Sequence, residues 1–266
     1  MRFSAILIFI VSVFSMSLSY DLEFALGRTK VITADPEGIS RSLAMPQEEN
    51  DEVSMTVSIK YIDEKTAVLT FDNFTQIYIL DGTPISPPDP ISSIYSQPIM
   101  VHLIDDGSVS TIDNVEQVAR EFNPISTNLL CAMLFPPVNA EMDKSRVTVN
   151  YTFPLSVSGK TTIEEKMLIE YLLVGESEYM GITCEVINVS IKAEELTSIK
   201  VPIGGTIGQA FGEGSGMLMY AEGVGVVWAE LEMSYNRTKS ITLRGVTYKP
   251  LTEKVAISAS VSMVGE

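Results

Sequence analysis

The chain has 266 residues and a formal net charge of −16, with 34 acidic side chains against 18 Lys and Arg. A balance this acidic repels nucleic acid and anionic head groups, so no nucleic-acid partner is expected. One His and 2 Cys leave little material for zinc or histidine chemistry.

The first segment reads as an export signal. Arg2 gives a positive start, Ala5 to Leu18 an apolar core, and Ser17 and Ser19 small residues before a cleavage point at Tyr20. The expected organisation is a signal peptide over 1–19 and a single antiparallel β domain over 20–266. The location implied is periplasmic or extracellular. No later apolar run has transmembrane length, so no transmembrane segment is expected in the mature chain. Glu48, Glu49, Asp51 and Glu52 read as a solvated loop joining a strand, or as a cation site.

A period of two then dominates. Val53, Met55, Val57, Ile59 and Tyr61 alternate with Ser54, Thr56, Ser58 and Lys60, which gives a strand one dry face and one wet face. Ile62 to Lys65 reads as a turn and Ala67 to Phe71 as the returning strand of a hairpin. Pro84 to Pro98 holds five prolines and reads as a long loop. His102 has the opposite parity to Ile99, Val101 and Leu103, which suits a solvent-facing or hydrogen-bonded strand residue. No G-x-S-x-G elbow accompanies it.

Two short helices are expected near the middle, as an insertion over about 113–135. Val115, Val118, Ala119 and Phe122 are helically spaced behind Thr111 or Asp113 as N-cap. Ser126 to Phe135 is the second, with Leu129, Leu130, Met133 and Leu134 on a stripe. Cys131 lies there and Cys184 in a later strand. An exported chain permits a disulfide between them; two buried hydrophobes are the other reading.

Strands resume with Val147 to Phe153, Met167 to Leu173, Val227 to Tyr235 and Val255 to Met263. Turns are expected at Gly175-Glu176-Ser177, Glu222-Gly223 and Asn236-Arg237-Thr238, with Gly212 to Gly216 as a flexible hairpin connection. Parity slips at Ile187-Asn188 and at Gly245 point to β-bulges. Gly159-Lys160-Thr161 lacks the upstream glycine of a phosphate loop. Glu230 and Glu232 share a strand face roughly 7 Å apart. That suits a carboxylate hydrolase, or an ordinary wet face. Trp228 beside them either stacks on a ligand or is covered by another element. Sequons at Asn73, Asn150, Asn188 and Asn236 matter only in a glycosylating cell.

Two phrases carry a resemblance: Tyr171-Leu172-Leu173-Val174-Gly175 followed by Gly181 to Val186, and Gly214 to Tyr220 followed by Gly223-Val224-Gly225. Residues 145 to 240 resemble an uncharacterised family of bacterial secreted β-rich proteins. An aspartate usual before the last turn is replaced by Ala221-Glu222, and a Trp-containing phrase is missing at Val157 to Lys160. In layout the chain is also similar to periplasmic lipoprotein-carrier half-barrels, which implies a curved sheet with helices over an apolar cavity.

The expected fold is mainly β: a large curved antiparallel sheet or incomplete β-barrel with two inserted helices. The expected function is an exported, non-enzymatic carrier with an apolar, lipid-like ligand in the concave face. Candidate ligand-binding residues are Met55, Leu69, Phe71, Leu130, Met133, Leu134, Phe135, Met167, Tyr171, Met219, Leu231 and Met233. Flexible thioethers line adaptable sites, and they also simply fill cores. No catalytic residue, metal ligand or cofactor is expected. The other reading is an envelope-associated module that binds another protein through a sheet edge or the proline loop.

Overall fold

A computed structural model describes residues 17–31, 48–88, 90–105, 107–113, 127–137, 144–155, 159–202, 204–247 and 251–264. Strands run as β1 (Ser17–Val31), β2 (Glu48–Asp63), β3 (Thr66–Leu80), β4 (Thr83–Ile85), β5 (Ile99–Leu103) and β6 (Val109–Asp113). They continue as β7 (Lys144–Leu155), β8 (Gly159–Tyr179), β9 (Ile182–Val201), β10 (Gly204–Ala221), β11 (Gly225–Leu243), β12 (Val246–Thr247) and β13 (Leu251–Met263). Helix α1 is Ile91–Ile94 and α2 is Thr127–Leu134. The mainly β expectation holds: the strands form one curled, antiparallel half-barrel sheet.

Its order is β6-β5-β3-β2-β1-β13-β11-β10-β9-β8-β7, with β4 on β3 and β12 on β11. The first and last strands meet in the middle, where Leu22 stands opposite Val261. The two end strands, β6 and β7, do not pair with each other among the described residues, so the sheet stays open. The chain between them carries α2.

Alternation decides which face is dry. In β2 every second residue from Glu49 to Ile59 is buried, and the next outward ones are exposed or half-exposed. The dry rows of nine strands meet both helices in one core that includes Leu22, Val57, Leu69, Ile94, Leu130 and Ile169. Cys184, Ala221 and Val227 form a small second cluster. Val226 belongs to the main core and its neighbour Val227 to the small one, so the two clusters lie on opposite faces.

Several local expectations change. Gly212 to Gly216 and Asn236 to Thr238 lie inside long strands, not in turns. Gly175 is the site of a register shift in β8, and the turn follows at Met180-Gly181. The bulge thus sits opposite Ile187, on the partner strand. Gly245 is a turn residue with φ 82°, not a bulge. The helix expected from Asp113 to Phe122 falls outside the described residues beyond Asp113, and Thr111 and Asp113 themselves belong to β6.

The proline segment is not a free loop. It holds β4 and α1, and Ile91, Ile94 and Tyr95 are buried. Tyr95 packs on Phe71 with ring centroids 4.5 Å apart.

Candidate functional site

The candidate residues converge to an unusual degree. Met55, Leu69, Phe71, Leu130, Met133, Leu134, Phe135, Met167, Tyr171, Leu231 and Met233 all belong to the main core. Met219 does not; it packs on the small cluster of the other face, beside the register shift between Met219 and Tyr220. The extra residue of that shift is Val227 of β11; along β10 Met219 has the parity of exposed Glu213 and Ser215, which faces away from the main core.

Helix α2 makes this convergence possible. Every residue from Asn128 to Pro137 is buried, so the helix is enclosed all round rather than amphipathic on a surface. Two hydrogen bonds fasten it to β8. Asn128 Nδ2 donates to Glu165 Oε2 at 2.8 Å, and Tyr171 Oη donates to the Ala132 carbonyl at 3.1 Å. The dry face of the half-barrel is thus occupied by the protein's own helix.

A row of very small residues on β10 supplies the room. Ala210, Gly212, Gly214 and Gly216 stand on its dry face opposite Arg237, Tyr235, Met233 and Leu231 of β11. A Cβ at Gly214 would lie 2.4 Å from Met233 Cγ. Glycine in a strand marks such a close approach. The long side chains of β11 lean into the space that β10 leaves.

Toward one end the dry face changes from apolar to charged. Arg28 continues the row of Leu22, Phe24 and Leu26, and Glu49 and Asp51 continue the row of Val53 and Met55. Arg28 Nη1 donates to Glu49 Oε2 at 3.0 Å, with both side chains 6% exposed. Gln76 donates to both oxygens of Asp51 at 3.0 Å and accepts from the Ile91 amide at 2.9 Å. Burial raises the Asp51 carboxyl above its ordinary range, against the lowering effect of Gln76 and Arg28.

A second ionic group lies across β13. Arg237 Nη2 donates to Glu195 Oε2 at 2.9 Å, and its Nη1 lies 3.7 Å from Glu253 Oε2. Lys239 approaches the other Glu253 oxygen at 3.6 Å. Sequence reasoning missed this belt by reading Glu48 to Glu52 as loop and Asn236 to Thr238 as a turn. The available signal was parity: Glu49, Asp51, Arg237 and Glu253 all keep the spacing of the apolar residues that follow or precede them.

The opposite, wet face carries two shallow grooves along β13. One, of about 380 Å³, is lined by Glu23, Glu52, Glu230 and Ser260; the other, of about 680 Å³, by Glu213, Glu232, Ser258 and Ala25. Glu230 and Glu232 therefore line different grooves. Trp228 is half-buried on β11, opposite Met219 and Ser262. His102 Nε2 pairs with Asp113 Oδ2 at 3.0 Å across β5 and β6. Among the described residues no cluster of His, Cys, Asp or Glu is arranged to hold a metal ion. Cys131 and Cys184 are free and belong to the two different clusters. No described helix is long and apolar enough to cross a membrane.

No family model matches the chain, and no curated protein matches it either. Among solved structures it is similar to outer-membrane porins at low TM-score. OccK5 (OpdH) of Pseudomonas aeruginosa is 8% identical over 94% of this chain and 98% of that one, with a TM-score of 0.24. A BenF-like porin of Pseudomonas fluorescens is 8% identical over 93% and 99%, at 0.25. OmpF of Salmonella typhi, solved with daunomycin, is 7% identical over 93% and 98%, at 0.26.

Proposed function

We propose that the chain is an exported, non-enzymatic carrier whose apolar, lipid-like ligand takes the place of α2 on the concave face of the half-barrel. The supporting observation is that α2, with no charged residue, fills an otherwise continuous apolar surface that is open between β6 and β7. In this reading α2 seated on the sheet is the closed arrangement. Leu129, Leu130, Met133 and Leu134 cover the dry face and keep it from water. Exposing each such side chain costs about 1.5–3 kcal/mol. A ligand of similar apolar area offsets that cost, so exchange of helix for ligand is energetically feasible. The methionines suit the exchange, because a thioether repacks against unlike shapes.

The test is native mass spectrometry of the protein purified from its exporting host, followed by organic extraction. Excess mass that extracts as an apolar molecule is expected. A clean protein mass, together with no saturable binding of an apolar fluorophore such as N-phenylnaphthylamine, would overturn the proposal.

A further inference from the structure

We infer that the charged belt is a head-group site for a zwitterion bearing a primary ammonium and an anionic group, and this inference rests on the carrier reading. Four buried side-chain polar atoms make no hydrogen bond among the described residues: Arg28 Nε, Arg237 Nε, Glu253 Oε2 and Asn128 Oδ1. All four belong to the belt or to its contact with α2. Buried polar groups are nearly always paired, so Arg28 Nε, Glu253 Oε2 and Arg237 Nε, on three adjacent strands, mark a position where another molecule supplies the partners.

Register places Arg237 beside Glu253 and puts Asn128 at the far end of the same row. Glu165 stands opposite Glu195, Glu195 opposite Ala210, Ala210 opposite Arg237, and Arg237 opposite Glu253. That is one transverse row over five strands. Ala210 is the gap in it, a methyl group between two charged neighbours. Asn128 reaches the row through Glu165, and Arg28 lies on the strand beyond Glu253, opposite Val255.

The orphans also state what they require. Two are guanidinium N–H donors and call for an anionic or carbonyl oxygen. The third is an acceptor, the Glu253 carboxylate oxygen, and calls for an N–H donor. A phosphate or carboxylate with a primary ammonium meets both demands. A quaternary ammonium meets only the first. Glu195, Arg237 and Lys239 keep 12–17% side-chain exposure, so the belt reaches water. The head can then enter from the rim while the tail follows the dry face toward Met233 and Leu231.

The experiment measures binding of decyl phosphoethanolamine, decyl phosphocholine and decyl maltoside by calorimetry, each below its micelle-forming concentration, with chain-free phosphoethanolamine alongside. The expected result is that decyl phosphoethanolamine binds about tenfold more tightly than the phosphocholine of equal chain length. Glu253→Gln should lower the unfolding temperature, because it takes the carboxylate from Arg237 and Lys239, and measured well below that temperature the folded variant should bind the two phospho-amphiphiles alike. If all three amphiphiles bind alike, the belt does not read the head group and the inference fails while the carrier reading stands. If none binds, both fail. Tight binding of chain-free phosphoethanolamine assigns the belt to a free zwitterion rather than a lipid head, which upholds the site and overturns the tail assignment.

Discussion

The ring of Tyr235 lies across Gly212. A Cβ on that glycine would sit 2.4 Å from Tyr235 Cδ1 and 2.5 Å from Cε1. Gly216 is tighter in a different way, since its Cβ would meet the Glu230 carbonyl oxygen at 2.1 Å and Leu231 Cα at 2.8 Å. A ring can turn aside, whereas a paired strand backbone cannot. Gly212→Ala should therefore cost about 1–3 kcal/mol, and Gly216→Ala more. Urea unfolding of the two variants checks the order. Equal losses would mean that strand propensity, not space, sets the need for glycine.

The ionic group around Arg237 gives a second expectation. Its guanidinium is shared between Glu195 and Glu253, and Glu253 is 1% exposed. Arg237→Met leaves two carboxylates without their main cation, a loss of about 3–5 kcal/mol. Adding Glu195→Gln and Glu253→Gln to the same chain should recover most of it, because the cost lies in stranded charge. Denaturant midpoints of the single and triple variants decide this. A triple variant as weak as the single one would assign the loss to packing of the arginine stem.

How far the sequence revealed this protein follows from what period two can report. The alternation from Val53 to Tyr61 identified β2 and its dry side correctly, and strand parity brings seven of the candidate residues into the main core, while Leu130, Met133, Leu134 and Phe135 join it through α2. Helix α2 was legible from the spacing of Leu130, Met133 and Leu134. Turn chemistry misled. The glycines at 212, 214 and 216 serve the packing of a neighbouring strand, a relation that only the register of β10 with β11 discloses. Arg237 looked like a turn residue because its neighbours are Asn and Thr. Met219 shares the odd, outward parity of Glu213 and Ser215 along β10, and its thioether alone suggested an inward place.

Asp51 should make stability depend on pH. Burial raises its carboxyl above the ordinary range. A group raised in the folded state binds its proton more tightly there, so its contribution is full below the unfolded value of about 3.9 and declines as pH rises through the folded value. Asp51→Asn should remove this slope. The stability of the parent chain minus that of the variant should then be larger at pH 4 than at pH 7. Urea unfolding over that interval measures the difference. A difference that grows toward neutral pH would show that the Arg28 and Gln76 contacts outweigh desolvation.

The two thiols report on different motions. Full burial pushes the Cys131 thiol up to about 12, and it lies on α2 within the main core. Thiolate is the reacting form, so Cys131 should be inert to iodoacetamide until α2 leaves the sheet. Cys184 sits in a cluster with Ala221 and Val227 near the β8–β9 turn, where local opening exposes it sooner. Tyr171→Phe removes the hydroxyl that holds the Ala132 carbonyl, a bond worth about 0.5–1.5 kcal/mol. If α2 detaches as the carrier proposal requires, this variant should label Cys131 several-fold faster while Cys184 keeps its rate. Equal acceleration of both thiols would mean that α2 leaves only when the whole sheet unfolds, and a helix that cannot leave alone cannot be exchanged for a ligand.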